Sequence, residues 1–234
     1  MMMSHNILDH DCFTKLNYGW VRPYVVTGDA TITIRPFESS GECVLLADSW
    51  NGTAFDEYVL FQLYTPTGLN EKDSRIAYSG GTKGFEVPGV IGYHIDGRLV
   101  KGKDYTRDGR FDGTAFLTDE EVMNFPAASK SLISRGLYVA PGITNTAFYD
   151  STNVQGKGYE LIQLIQSGGR NTMRRGDDSS DADLFTRGKT FSLGQYSAFF
   201  PETTKLNNGS SLPYEVYFEQ VNGEYATLKI TKKA

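Results

Sequence analysis

Histidine and cysteine are scarce in this chain, with three imidazoles and two thiols among 234 residues. No two of His5, His10 and His94 lie four apart, so no helix can offer a metal two imidazoles one turn apart. There is no Cys-x-x-Cys pair, no glycine-rich phosphate loop after a strand and no Gly-x-Ser-x-Gly elbow. Basic residues are outnumbered, Lys+Arg 23 against Asp+Glu 28 for a net charge of -5, so nothing is basic enough to track a phosphate backbone. Nucleic acid is not an expected partner. No apolar run approaches the roughly 20 residues of a bilayer-spanning helix, and the N-terminus lacks a charged region followed by an apolar one. No membrane span and no export signal are expected.

What is present is apolar and aromatic: 39% hydrophobic and 13% aromatic residues, enough to bury a substantial core in one large β domain or two small ones. Two short runs, Tyr58 to Tyr64 and Val87 to Asp96, are β-branched or aromatic and are closed off by Pro and Gly, with a polar loop between them. Both read as buried strands. In the second, period-2 geometry puts His94 and Asp96 on one face and Ile95 on the other. That imidazole and carboxylate form the candidate functional pair, or else a structural one beside a turn.

Upstream, Asp9 or Asp11 is placed to cap a helix through Cys12-Phe13-Thr14-Lys15-Leu16, ended by Gly19. Thr31 to Arg35 alternates as a half-buried antiparallel strand that Pro36 ends, Cys43 to Ala47 gives another, and Trp50-Asn51-Gly52-Thr53 a tight turn. A strand meander is expected. Thr118 caps an acidic helical turn through Met123. Strands resume at Gly136 to Ala140 and at Tyr159 to Gln166; the latter, apolar on both faces, is expected in the centre of a sheet. After a polar loop from Ser167 to Asp183, Thr190 to Leu193 and Phe199-Phe200 precede a hairpin. Its arms are Tyr214 to Val221 and Tyr225 to Ile230, joined through Asn222-Gly223 in a primed two-residue turn. The fold class is mainly β: an antiparallel, sandwich-like architecture with a short N-terminal helix and long loops.

Several side-chain groups invite chemistry. His5, Asp9 and His10 match no closed ligand set and read as surface residues. Asp108, Asp112 and Asp119 fall on positions of a helix-loop-helix calcium loop, but Arg110 stands where an oxygen ligand belongs, and a solvated loop reads better. Asp177, Asp178, Asp181 and Asp183 crowd together after Arg170, Arg174 and Arg175, which offer an ion-pair explanation. Asp56 and Glu57 beside Asp96 are the carboxylates a glycosidase would need. Cys12 and Cys43 are either isolated thiols or, in an exported protein, a pair.

The residues also resemble a family. Met2-Met3-Ser4-His5-Asn6-Ile7-Leu8-Asp9-His10, Phe13-Thr14-Lys15 and Gly19-Trp20-Val21-Arg22-Pro23 are similar to the stretch just downstream of the zinc site in secreted bacterial metallopeptidases of the immune inhibitor A type. The likeness continues in Arg35-Pro36-Phe37, Phe55-Asp56-Glu57-Tyr58, Thr65-Pro66-Thr67-Gly68-Leu69-Asn70 and Pro88 to Asp96. In such enzymes an HExxH helix supplies two zinc ligands and the glutamate that activates water. This chain has no HExxH, and Gln62 stands where the resemblance leads one to expect an acidic residue. The resemblance implies that residues 1–23 are a remnant of a zincin-like catalytic domain, with Met2 or Met3 in the methionine turn. It implies that 24–234 form the β-rich sandwich-like part, as one unit or two packed subdomains. On this reading zinc belongs to a catalytic half before residue 1, this chain holds no cofactor of its own except calcium if any, and the protein is secreted or on the cell surface. Its partners would be that catalytic half or an extracellular protein or carbohydrate. The competing reading is an extracellular β-sandwich module that binds carbohydrate or protein through aromatics such as Trp50 and Tyr64, rings that otherwise read as core packing.

Overall fold

The computed structural model describes residues 9–77, 83–101, 115–124, 137–139, 160–200 and 204–233. Met2, Met3, His5, Asp108 and Asp112 lie outside the described residues. In chain order the elements are α1 (Cys12–Asn17), β1 (Tyr24–Val25), β2 (Ala30–Ile34), α2 (Phe37–Ser40), β3 (Cys43–Leu46), β4 (Glu57–Tyr64), α3 (Glu71–Arg75), β5 (Gly89–Asp96), β6 (Leu99–Lys101), β7 (Ala115–Phe116), α4 (Asp119–Met123), β8 (Leu137–Val139), β9 (Ile162–Ile165), β10 (Thr190–Phe191), β11 (Tyr214–Val221) and β12 (Ala226–Lys232). The fold is mainly β and sandwich-like. A five-stranded sheet runs β1-β3-β4-β5-β9, a four-stranded one β10-β11-β12-β2, and a small third sheet β7-β6-β8. Every pairing is antiparallel except β1 with β3.

The first sheet is buried on both faces, which is why all eight residues of β4 are buried. One parity, Val59, Phe61 and Leu63 with Val44, Leu46 and Val90, points at the second sheet and meets Ile34, Phe191, Val216, Phe218 and Leu228. Phe61 is the hub, with Phe185, Phe191 and Phe218 each edge-on to it. Gly92 lies across from it in β5. A Cβ there would stand 2.9 Å from the Phe61 ring and 3.0 Å from Phe185, so only glycine leaves room for both. The opposite parity, Cys43, Leu45, Tyr58 and Leu60, is covered by Cys12, Phe13 and Leu16 of α1 and by Val21 and Phe37. The second sheet is half-solvated: along β12 the inward Ala226, Leu228 and Ile230 alternate with exposed Lys229 and Thr231.

Local chemistry follows the residues at most termini. Asp11, not Asp9, caps α1 by accepting the Thr14 N–H at 2.8 Å. The left-handed Gly19 closes it: Gly19 N–H bonds Leu16 O and Trp20 N–H bonds Lys15 O, the paired bonds of a Schellman motif. Thr118 and Glu121 form a reciprocal capping box on α4. The expected polar loop between β4 and β5 holds the helix α3, and Pro36 ends β2 by starting α2.

Three expectations are corrected. The early strands form no meander, because β2 leaves its sequence neighbours to pair with β12 at the edge of the second sheet. Among the described residues β9 stands at the edge of its sheet, not in the centre. Its apolar run reports that both faces are covered, Ile165 by one cluster and Ile162 by another, and says nothing of neighbours in the hydrogen-bonding direction. The Asn222-Gly223 connection is not a primed two-residue turn. The last pair is Val221 with Ala226, and Gly223 does not take a positive φ. The Asn222 side chain instead accepts the N–H groups of Glu224 and Tyr225, building a longer Asx-type loop.

Candidate functional site

Two places gather polar groups. The first is a buried knot at one end of the sandwich interior. Glu57 opens β4 on the same parity as Val59 and Phe61, so its carboxylate points between the sheets with 1% exposure. It accepts from His94 Nε2 at 2.9 Å, from the backbone N–H of Asn207, and from that of Asn208 at 2.7 Å, with Arg98 Nε at 3.7 Å. Asp96, directly across from Glu57, takes a two-pronged bond from Arg98, both arms 2.8 Å, and one from Asn207 Nδ2 at 2.9 Å. The His94 ring, 2% exposed, packs 4.6 Å from Phe200.

His94 and Asp96 therefore share a face as period 2 requires, but they are not bonded partners; each is satisfied by a residue from another element. A His and two carboxylates so enclosed, with their oxygens occupied by protein donors, have the geometry of a structural clasp rather than of an acid and base awaiting substrate. Of the carboxylates a glycosidase would need, Glu57 and Asp96 sit side by side in this one clasp. Asp56 faces away, accepting the Asn51 N–H and the Glu57 N–H, each at 2.8 Å. It lines a small cavity of about 200 Å³ with Asp48, Asp119 and Arg98. Asp119 takes the Asn51 amide at 3.2 Å. Among the described residues no group of three or more His, Cys, Asp or Glu side chains is arranged to hold a metal ion.

Three of the other acidic candidates are likewise engaged, while Asp177 and Asp178 are exposed. Asp9 pairs with Lys15, Asp181 accepts the Glu86 N–H, and Asp183 accepts from Gln166 and the Ser180 N–H. His10 packs against Trp20, with ring centroids 5.5 Å apart.

The second place is a cleft of about 770 Å³ over the outer face of the first sheet, walled by α1, α2 and the segment around Phe85. Aromatic surface from Phe13, Phe85 and Tyr93 alternates there with Asp11, Asn17, Glu38, Gln62 and Asn70. Glu38 spends one oxygen on the hydroxyls of Thr65 and Thr67, at 2.9 and 3.2 Å, while its other oxygen is buried without a partner. Burial, with the Asp11 carboxylate nearby, holds the Tyr93 phenol well above its ordinary range, so it faces the cleft protonated. At the lip, Tyr18 stacks on Trp20 at 4.9 Å with 24° between the planes, and the two are 54% and 61% exposed. The Gly19 reversal that ends α1 is what brings Trp20 back onto Tyr18.

The sequence reading placed exposed aromatics elsewhere, at Trp50 and Tyr64. Trp50 is half-buried and donates Nε1–H to Thr53 O at 2.8 Å; Tyr64 is buried and donates its hydroxyl to Phe85 O at 2.8 Å. Both are structural. Tyr18 and Trp20 carried one legible signal, large aromatics flanking a helix-ending glycine where no strand follows to bury them.

No family model, no curated protein and no solved structure matches the chain.

The clasp and Asp56 each generate a measurement. Glu57→Gln replaces an acceptor for several donors with a group that presents N–H to some of them, and is expected to lower unfolding free energy by about 3 to 5 kcal/mol in urea titrations. Burial raises the Asp56 carboxyl from 3.8 to about 6. A raised carboxyl favours the folded state fully below the unfolded value, and that contribution is lost as pH rises through about 6. Comparing wild type with Asp56→Asn, the wild type should lose about 2 to 3 kcal/mol relative to the variant between pH 4 and pH 7. Parallel urea midpoints across that range would show no such drift if Asp56 is not the group concerned.

Proposed function

We propose that this chain is a non-catalytic binding domain of a secreted protein, and that it binds carbohydrate in the cleft beside α1. The supporting observation is the Tyr18–Trp20 stack at the lip of a cavity whose floor alternates aromatic faces with amides and carboxylates. A sugar ring is amphipathic: its C–H face packs on exposed aromatic rings and its hydroxyls need fixed acceptors and donors. Asp11, Asn17, Glu38, Gln62 and Asn70 line the cleft with that second kind of group. The volume falls in the range of small-molecule sites.

A second reading concerns the protein to which such a domain belongs. Among the described residues, several of the motifs that resemble immune inhibitor A-type metallopeptidases lie together in space. β4 and β5 pair along their length, Pro36 bridges Leu63, and Thr65 and Thr67 bond Glu38. That convergence favours a scaffold shared with the non-catalytic part of such proteins. Zinc and peptide hydrolysis would then belong to a catalytic half outside these residues.

Glycan-array binding followed by titration calorimetry tests the proposal. Trp20→Ala is expected to weaken saccharide binding by about fivefold or more, as loss of an aromatic contact worth about 1 kcal/mol does, while leaving the fold intact because the ring is exposed. Trp50→Ala should lower stability. Saccharide binding unchanged by Trp20→Ala would refute the cleft, and stoichiometric zinc with chelator-sensitive peptide cleavage by this polypeptide would refute the non-catalytic assignment.

A further inference from the structure

We infer that Cys12 and Cys43 form a disulfide site that, once oxidised, staples α1 to the first sheet. Cys43 opens β3 directly across from Gln62 of β4, and residues directly opposite in an antiparallel pair project from the same face. Gln62 Oε1 in turn accepts the backbone N–H of Cys12 at 3.0 Å. One side chain therefore spans from beside Cys43 to the first residue of α1. Both cysteines are fully buried, and both belong to the cluster formed with Leu45, Tyr58 and Leu60.

In the structure both are free thiols. Burial pushes Cys43 up to about 12 and Cys12 well above its ordinary value, the latter raised further by its proximity to Cys43. Neither thiol is a competent nucleophile while α1 is seated. Oxidation therefore belongs to folding, before the helix closes. One cysteine thiolate attacks a sulfur of a disulfide oxidant such as oxidised glutathione, breaking its S–S bond and releasing one glutathione thiolate. The second cysteine thiolate attacks the protein sulfur of the mixed disulfide and releases the other. Two electrons pass from the protein thiols to the oxidant, and their two protons end on the reduced glutathione or in solvent. Once α1 is seated, the burial that silences the thiols keeps reductant from the bond.

The staple has a place to act. A six-residue helix has no stability of its own and depends on its buried face. The same helix lines the cleft with Phe13 and Thr14 and leads directly into Tyr18 and Trp20. Fixing Cys12 fixes that wall.

The test refolds the full chain in glutathione buffer at a defined oxidised-to-reduced ratio, alkylates it under denaturing conditions, and maps its peptides by mass. Expected are no alkylated cysteine, a Cys12–Cys43 linked peptide, and a urea midpoint above that of the same protein refolded with excess reductant. Two alkylated cysteines after oxidative refolding overturn the inference, as do cross-links only between chains or a linked protein with a lower midpoint than the reduced one. The Cys12→Ala/Cys43→Ala variant supplies the control: a midpoint that still depends on redox buffer in that variant overturns the assignment of the effect to this pair.

Discussion

A carboxylate enclosed between two sheets must be matched by donors, and the way Glu57 is matched ties the fold together. Its acceptors are used by β5 through His94 and by the turn at Asn207 and Asn208, which precedes β11 and β12 of the second sheet. Asp96 and Arg98 complete the same arrangement from the neighbouring strand end. Apolar packing alone is indifferent to small slips between sheets. Directional bonds to one buried carboxylate are not, and they set the end of β4 against the turn that feeds β11. The Phe61 ring cluster then supplies the non-directional part of the interface, and the missing side chain at Gly92 makes space for it.

Much of this architecture was legible because local chemistry and global burial agree. The Asp11 cap, the Gly19 stop, the Thr118 box and the apolar runs of β4 and β5 are statements about a few adjacent residues, and each has its expected form. The features that escaped are relations between distant residues. An apolar strand shows that both faces are covered, which holds equally for a central strand and for the edge strand β9. Asn222-Gly223 marks a reversal correctly, but the Asn side chain competes for the loop amides and yields a longer loop than the dipeptide suggests. His94 and Asp96 were correctly placed on one face. The His94 partner lies 37 positions away at Glu57, and Asp96, besides its neighbour Arg98, is bonded 111 positions away by Asn207. The one local hint was Glu57 itself, an acid on the inward parity of an otherwise apolar strand.

The same limit governed the aromatics. Composition counts Trp50 and Tyr64 with Trp20 and Tyr18, yet the first two point into packed surroundings and send their polar atoms to backbone carbonyls, while the last two stack in the open. The distinction comes from α1 lying across the outer face of the first sheet. That helix covers Cys43, Leu45 and Leu60, and its glycine stop then throws the chain outward, where Tyr18 and Trp20 have no sheet to enter.

Scarcity of imidazole and enclosure of the remaining acid groups converge on one functional argument. His94, Glu57 and Asp96 are all withdrawn from solvent into bonds that hold strands together, so these three serve the fold. The polar groups that face a sizeable space are those of the cleft, where they alternate with aromatic faces, and that alternation is what supports the proposed binding role. A cleft with one wall made by a six-residue helix is only as well defined as the attachment of that helix. The buried face of α1 therefore bears on binding as directly as the exposed residues do: what fixes Cys12 against the sheet also fixes Phe13, Tyr18 and Trp20 against whatever enters.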